Sequence, residues 1–182
     1  MRIYGNRLLK TLPGELTRPT SAKVREALFN IWQREVAGCR WLDLCAGNGS
    51  MGAEALCREA AFVMGIEKYG KACKIINENW QKIANDEQEF KVIKGDILKV
   101  LKTLNMKKFD LIYFDPPYQS GLYQPVLELI VNYQLLNETG EIAVEHNPKF
   151  WSAKEIKGLT IVRQKNYGNT NLTFYCYSER RN

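Results

Sequence analysis

The chain is poor in the residues that build metal and disulfide sites. It holds a single histidine, His146, and its cysteines, Cys39, Cys45, Cys57, Cys73 and Cys176, include no C-x-x-C pair. Their number is odd and no histidine lies near them in sequence. That points away from a zinc cluster or a disulfide frame and toward free, mostly buried thiols. No metal is expected. A lone histidine closing an apolar run reads first as a structural or rim residue. Long apolar runs are missing too: none approaches the roughly 20 residues of a membrane span. The opening MRIYGNRLLK lacks the apolar core of a signal peptide. The expectation is a soluble, cytosolic protein without membrane contact. The chain also lacks internal repeats, low-complexity tracts and long linkers.

What is present is ordinary globular material with a basic bias. Hydrophobic residues make up 45% and charged residues 25% of the 182, a usual balance for one domain with one sizeable core. A formal charge of +6 and a pI near 9.0 suit a polyanionic partner but select none alone.

Along the chain, residues 3–12 (IYGNRLLKTL) and the Pro13-Gly14 turn predict a short strand or hairpin. Arg18-Pro19-Thr20-Ser21 opens a helix, with Thr20 or Ser21 as N-cap. Val24, Leu28, Ile31 and Trp32 recur at helical spacing through about residue 36, where Ala37-Gly38 ends it. From Arg40 strands alternate with helices. Strands are predicted at 41–46, 61–67, 90–96, 109–115 and 140–146, and helices at 53–60, 69–84, 97–104 and 121–133. Two last β-rich runs, GLTIVRQKNYG and TNLTFYCYS, joined around Gly168-Asn169, read as a closing hairpin. Repeated βαβ units predict a parallel sheet with right-handed crossovers and helices on both faces. The organisation expected is an N-terminal extension, 1–38, ahead of an α/β domain, 39–182.

Two stretches carry chemistry. Gly47-Asn48-Gly49-Ser50-Met51-Gly52 is a full G-x-G-x-x-G between a strand and a helix, where glycines let the backbone turn and approach a ligand. Glu67 ends the next strand, where an acid can accept both ribose hydroxyls. Asp96 ends the third strand at the same sheet edge, so a nucleoside-containing cofactor can lie across these ends. Solvated acids at strand ends would look the same. NAD-type binding uses the same glycines, but Asp43, inside the first strand, suits a cationic amino group better than a pyrophosphate. No Tyr-x-x-x-Lys or His-Asp arrangement for hydride transfer is evident. The second stretch is FDLIYFDPPY, 109–118. Its apolar half reads as a strand buried on both faces. Two prolines then end the strand. Asp115, two rigid carbonyls and the Tyr118 ring are thereby presented at the edge where α/β sheets bind ligands. Alone, D-P-P-Y is equally a strand followed by a proline turn.

In order, LDLCAGNGSMGAEAL, Glu67, KGD at 94–96 and DPPY at 115–118 resemble the S-adenosylmethionine-dependent methyltransferases of the seven-stranded Rossmann-like class. DPPY is similar to the D/N-PP-Y/F signature of enzymes that methylate exocyclic amino nitrogens. RPTSAKVREALFNIW, 18–32, is similar to the RPT-x-x-x-VRE-x-LFN element of the RsmD family of small-subunit rRNA guanine-N2 methyltransferases. The resemblance covers almost the whole chain. It implies an α/β fold with a seven-stranded sheet, helices on both faces and an antiparallel last strand. It implies S-adenosyl-L-methionine as cofactor, with Asp43 and the loop residues Gly47, Asn48, Gly49 and Gly52 near the methionine part. Glu67 would meet the ribose, and Asp96 with Ile97 the adenine. Asp115, Pro116, Pro117 and Tyr118 would be catalytic, and Arg18, Thr20 and Arg25 would meet substrate at the mouth. For those last three, helix capping and a solvated face are the plain alternative. The implied partner is small-subunit (16S) rRNA, naked or in a partly assembled ribosomal subunit. Lys23, Arg34, Arg163, Lys165, Arg180 and Arg181 are candidates for phosphate contacts. Two features depart from the family: IYGNRLLKTLPGELT is shorter and less basic than its usual opening, and Tyr118 stands where Phe is frequent. Other readings are an amino-methyltransferase of DNA adenine N6 or cytosine N4, a protein-glutamine methyltransferase, a non-catalytic nucleotide-binding module and an NAD dehydrogenase. The DNA enzymes usually carry a recognition domain for which 182 residues leave no room. In the glutamine enzymes Asn usually precedes the prolines.

Overall fold

The computed structural model describes residues 1–11, 21–105 and 107–178. The sequence expectations at Pro13-Gly14, Arg18, Thr20, Arg180 and Arg181 lie outside the described residues. The chain opens with a hairpin, β1 (Arg2–Ile3) and β2 (Arg7–Leu8), joined through a 3-10 turn at Tyr4–Asn6. Helix α1 (Ala22–Ile31) is capped by Ser21, whose hydroxyl accepts the Val24 N–H at 3.2 Å. The helix stops at Ile31, earlier than periodicity predicts. Residues 32–36 continue as turns that still bury Trp32 and Val36, so the apolar spacing outlasts the helix.

The remaining elements are β3 (Arg40–Leu44), α2 (Ser50–Cys57), β4 (Phe62–Glu67), α3 (Gly70–Ile83), β5 (Glu89–Lys94), α4 (Ile97–Thr103), β6 (Phe109–Phe114), α5 (Tyr123–Asn132), β7 (Leu136–His146), β8 (Leu159–Tyr167) and β9 (Thr170–Tyr177). They form a seven-stranded sheet in the order β5-β4-β3-β6-β7-β9-β8. Strands up to β7 pair in parallel, and β9 runs antiparallel to both β7 and β8, the mixed sheet that the resemblance implies. Strand β7 begins earlier than expected because its pairing with β6 shifts between Phe109 and Leu111. Gly140 sits in that irregularity: a Cβ there would lie 2.7 Å from the Asp110 carbonyl oxygen. Among the described residues no helix is long and apolar enough to cross a membrane.

Alternation along the central strands divides the core in two. Trp41, Val63, Leu111, Tyr113, Ala143 and Phe174 face α1, α2 and α3. Leu42, Leu44, Met64, Ile66, Ile112, Phe114, Ile142 and Val144 face α4 and α5. Helix α3 buries Ala72, Cys73, Ile76, Asn79 and Trp80, an apolar stripe at helical spacing. Its Trp80 indole N–H donates to the Gly49 carbonyl at 2.8 Å, and the ring lies over Gly52 and Gly65. A Cβ on Gly52 would lie 2.2 Å from that ring. Gly52→Ala should therefore cost about 1–3 kcal/mol by overpacking. Thermal denaturation reads this as a lowered Tm, and an unchanged Tm would refute the packing role.

Buried charges fasten the N-terminal segment to α2. Arg25 Nε donates to Glu54 Oε2 at 2.5 Å, and Arg25 Nη2 donates to the Arg2 carbonyl at 2.9 Å. Arg58 reaches the other oxygen of Glu54 at 3.0 Å and lies over the Tyr4 ring at 4.4 Å. Arg25 and Glu54 are 3% and 2% exposed.

Candidate active site

From β3 the chain crosses to β4 and β5 on one side, then returns to β6 on the other side of β3. The carboxyl ends of β3 and β6 thus lie together at the switch in strand order, with Leu44 in register with Phe114. Such switch points open a crevice for ligands. Here a cleft of about 580 Å³ is walled by Asp43, Gly47 and Asn48, by Glu67, by Asp96 and Ile97, and by Asp115, Pro116, Pro117 and Tyr118. That volume falls within the usual range of small-molecule sites.

Glu67, Asp96 and Asp43 are each placed by backbone groups. Glu67 accepts the Gly47 N–H at 2.8 Å on Oε2 and the Tyr69 N–H at 2.9 Å on Oε1. Both carboxylate oxygens are thereby oriented while each keeps a lone pair for a ligand. Asp96 caps α4: its Oδ1 accepts the Leu98 N–H at 3.1 Å and the Lys99 N–H at 3.3 Å. Asp43 is buried and accepts the Gly52 N–H at 3.1 Å. Burial pushes its carboxyl pKa up to about 7; the Gly52 hydrogen bond opposes this and the Glu67 charge adds to it. Cys45, at φ 61, also lines the cleft. Burial raises its thiol pKa first, and the charges of Glu67, Asp115, Asp43 and Asp96 raise it further. One thiol thus feels four carboxylates from four strand ends. The cleft is acidic and favours a cationic ligand.

At the β6 end, Pro116 is buried, while Asp115 and Tyr118 are half-buried. The Tyr118 hydroxyl lies 3.4 Å from the Thr170 hydroxyl, and its ring faces Phe150 at 6.3 Å between centroids. Tyr113, another wall residue, donates its phenol proton to buried Glu145 at 2.5 Å. His146 is structural: Nδ1 donates to the Trp151 carbonyl at 3.0 Å and Nε2 meets the Thr173 hydroxyl at 2.9 Å. Burial lowers its pKa.

A family model described as conserved hypothetical protein 95 matches residues 1–176. The chain belongs to that family. It is the RsmD family, and its pattern runs through both the cleft and the N-terminal segment. The ribosomal RNA small subunit methyltransferase D of Haemophilus influenzae is 30% identical over 175 residues, covering 92% of this chain and 91% of that one. YlbH of Bacillus subtilis is 32% identical over 171 residues, covering 93% and 92%. The solved structure of Escherichia coli yhhF superposes with a TM-score of 0.83 at 26% identity over 97% of each chain. SMU.776, solved in complex with SAH, has the same fold at 14% identity and a TM-score of 0.59, covering 84% of this chain and 48% of that one.

The structure places three of the residues expected at the site away from the cleft wall. Gly47 lines the cleft, but Gly49 and Gly52 do not. Gly49 turns the chain at φ 73, and both are glycine because Ile76 and Trp80 occupy the space a Cβ would take. The backbone N–H of Gly52 acts toward the cleft through Asp43. Arg25 is not at the mouth: it is buried against Glu54 and lines no part of the cleft. Among the described residues, sequence reasoning also missed Tyr113 with Glu145, Cys45 and Phe150. An acid inside the otherwise apolar run IAVEH was the available signal for Glu145.

Proposed function

We propose that this protein transfers a methyl group from S-adenosylmethionine to the exocyclic N2 of a guanine in small-subunit rRNA. The observation that carries it is one cleft joining the β3 loop and its acids to Asp115-Pro116-Pro117-Tyr118. The donor set suits the cofactor. Glu67, held by two backbone N–H groups, can accept both ribose hydroxyls, and Asp96 with Ile97 can hold the adenine. Asp43 would hold the ammonium of the methionine part. Bound there, S-adenosylmethionine supplies an electrophilic methyl on a cationic sulfur, which the acidic cleft favours over a neutral one.

An exocyclic amine is a poor nucleophile because its lone pair is delocalised into the ring. Asp115 accepts one N–H and the Pro116 carbonyl the other. Held this way, the nitrogen lone pair points into the cleft, and alignment lowers the barrier by several kcal/mol. The Asp115 carboxylate would take the proton that the amine loses. The ring of Tyr118 stacks on the base, which must leave its own stack to enter; that favours loops over duplexes. The amino group follows from the D-P-P-Y pattern, and guanine follows from the family resemblance at 18–32. The rRNA substrate is supported by the relatives' names.

Calorimetry with S-adenosylmethionine and NAD tests the cofactor half. Binding of the first and not the second is expected; tight NAD binding alone would overturn the proposal. The Asp43 carboxyl gives a pH signature. Burial favours its neutral form up to about pH 7, whereas a cation beside it favours the anion. Affinity for S-adenosylmethionine should therefore rise as pH approaches 7, with a proton released on binding, and Asp43→Asn should flatten the slope. Without ligand the sign reverses: the folded protein holds this proton more tightly, so stability falls as pH rises from the ordinary carboxylate range to about 7. A pH-independent affinity would remove Asp43 from the cofactor site.

A further inference from the structure

The proline turn after β7 carries an exposed aromatic ring. Phe150 is 51% exposed, yet its backbone is fixed. Its N–H and that of Trp151 both donate to the Asn147 carbonyl, at 3.0 and 3.1 Å, and the Lys149 N–H donates to Asn147 Oδ1 at 2.9 Å. Trp151 ties the same turn down by stacking on Tyr123 at 4.3 Å and 13°. The turn thus packs Trp151 against the core and lifts Phe150 into solvent, against the cost of exposing it.

That lifted ring faces Tyr118. The two centroids lie 6.3 Å apart with the planes 27° from parallel. Trp151 and Tyr123, by contrast, are in direct face contact. A base held between two rings needs about 7 Å, twice the ~3.4 Å rise of stacked bases. The Tyr118–Phe150 centroid spacing of 6.3 Å falls just short of that value, so the exposed Phe150 ring must give way slightly to admit a base. The Tyr118 hydroxyl lies 3.4 Å from the Thr170 hydroxyl, which anchors that wall.

We propose that Phe150 and Tyr118 form a two-walled slot that clamps the extruded target base, Phe150 being a positioning residue for the acceptor. This rests on the base-methyltransferase reading above. Stacking is tolerant of base identity, so the slot supplies hold and orientation, while recognition of the amino group stays with Asp115 and Pro116.

The test is steady-state transfer of tritiated methyl from S-adenosylmethionine to small-subunit rRNA, with calorimetric cofactor binding alongside. Phe150→Ala should lower kcat/KM for RNA by about 5- to 150-fold, the range of base–aromatic stacking losses on alanine substitution. Cofactor affinity and Tm should stay unchanged. Phe150→Trp should restore activity, and Phe150→Leu, with bulk but no π-face, should not. Activity of Phe150→Ala within twofold of wild type overturns the slot, as does equal rescue by Leu and Trp. A wild-type protein that methylates no base overturns the methyltransferase reading itself, and the slot falls with it.

Discussion

Asp115→Ala abolishes methyl transfer and leaves S-adenosylmethionine binding intact. That is the expected result with the largest effect on activity, and it follows from the layout of the cleft. The cofactor is assigned to groups on β3, β4 and β5: Asp43, Glu67, and Asp96 at the start of α4. The acceptor amine is assigned to the end of β6. Asp115 lies on the acceptor side, half-buried at the cleft wall. In the proposed mechanism its carboxylate both holds an N–H and receives the proton, so its loss would remove orientation and proton acceptance together. Removing one group aimed at the reacting centre commonly costs about 10²–10³-fold in rate, and a dual role places the loss at or above that range. Asp115→Asn, which keeps an acceptor oxygen but no base, should fall between. Transfer assays and calorimetry on the same preparations separate the two functions. Activity within tenfold of wild type would take Asp115 out of the mechanism; lost cofactor binding would move it to the other half of the cleft.

Glu54→Ala has the largest expected effect on stability. Glu54 neutralises buried Arg25 at 2.5 Å and also meets Arg58. Removing it leaves an uncompensated guanidinium in the core, at a cost of about 3–5 kcal/mol. Urea denaturation measures this directly. Replacing both partners, as Arg25→Met with Glu54→Leu, should recover much of the loss, because the penalty lies in the unpaired charge and not in the missing pair. A Glu54→Ala loss below about 1 kcal/mol would show that Arg25 finds water or another partner. Because α2 also carries the Gly52 N–H that holds Asp43, the same variant should weaken cofactor binding.

The sheet was legible because its strands are buried on both faces and read as short apolar runs broken by glycine and proline. The acids at 43, 67, 96 and 115 were legible for the same reason: each interrupts or ends such a run. What sequence reasoning could not see lies in packing between distant elements. Gly49 and Gly52 belong to a G-x-G-x-x-G pattern by spacing, yet Ile76 and Trp80, on another helix, occupy the space a Cβ would take there. Arg25 has the spacing of a solvated helix face, but Glu54, far along the chain, draws it inside. Tyr113 and Glu145 meet across 32 residues, and Phe150 faces Tyr118 only because β7 lies beside β6. No local pattern encodes such meetings.

The most direct test of the central claim is tritiated-methyl transfer from S-adenosylmethionine to naked small-subunit rRNA and to partly assembled small subunits, followed by nucleoside analysis. The account predicts label in N2-methylguanosine from at least one of the two substrates. Label in N6-methyladenosine or N4-methylcytidine, or no label in either RNA, would contradict it.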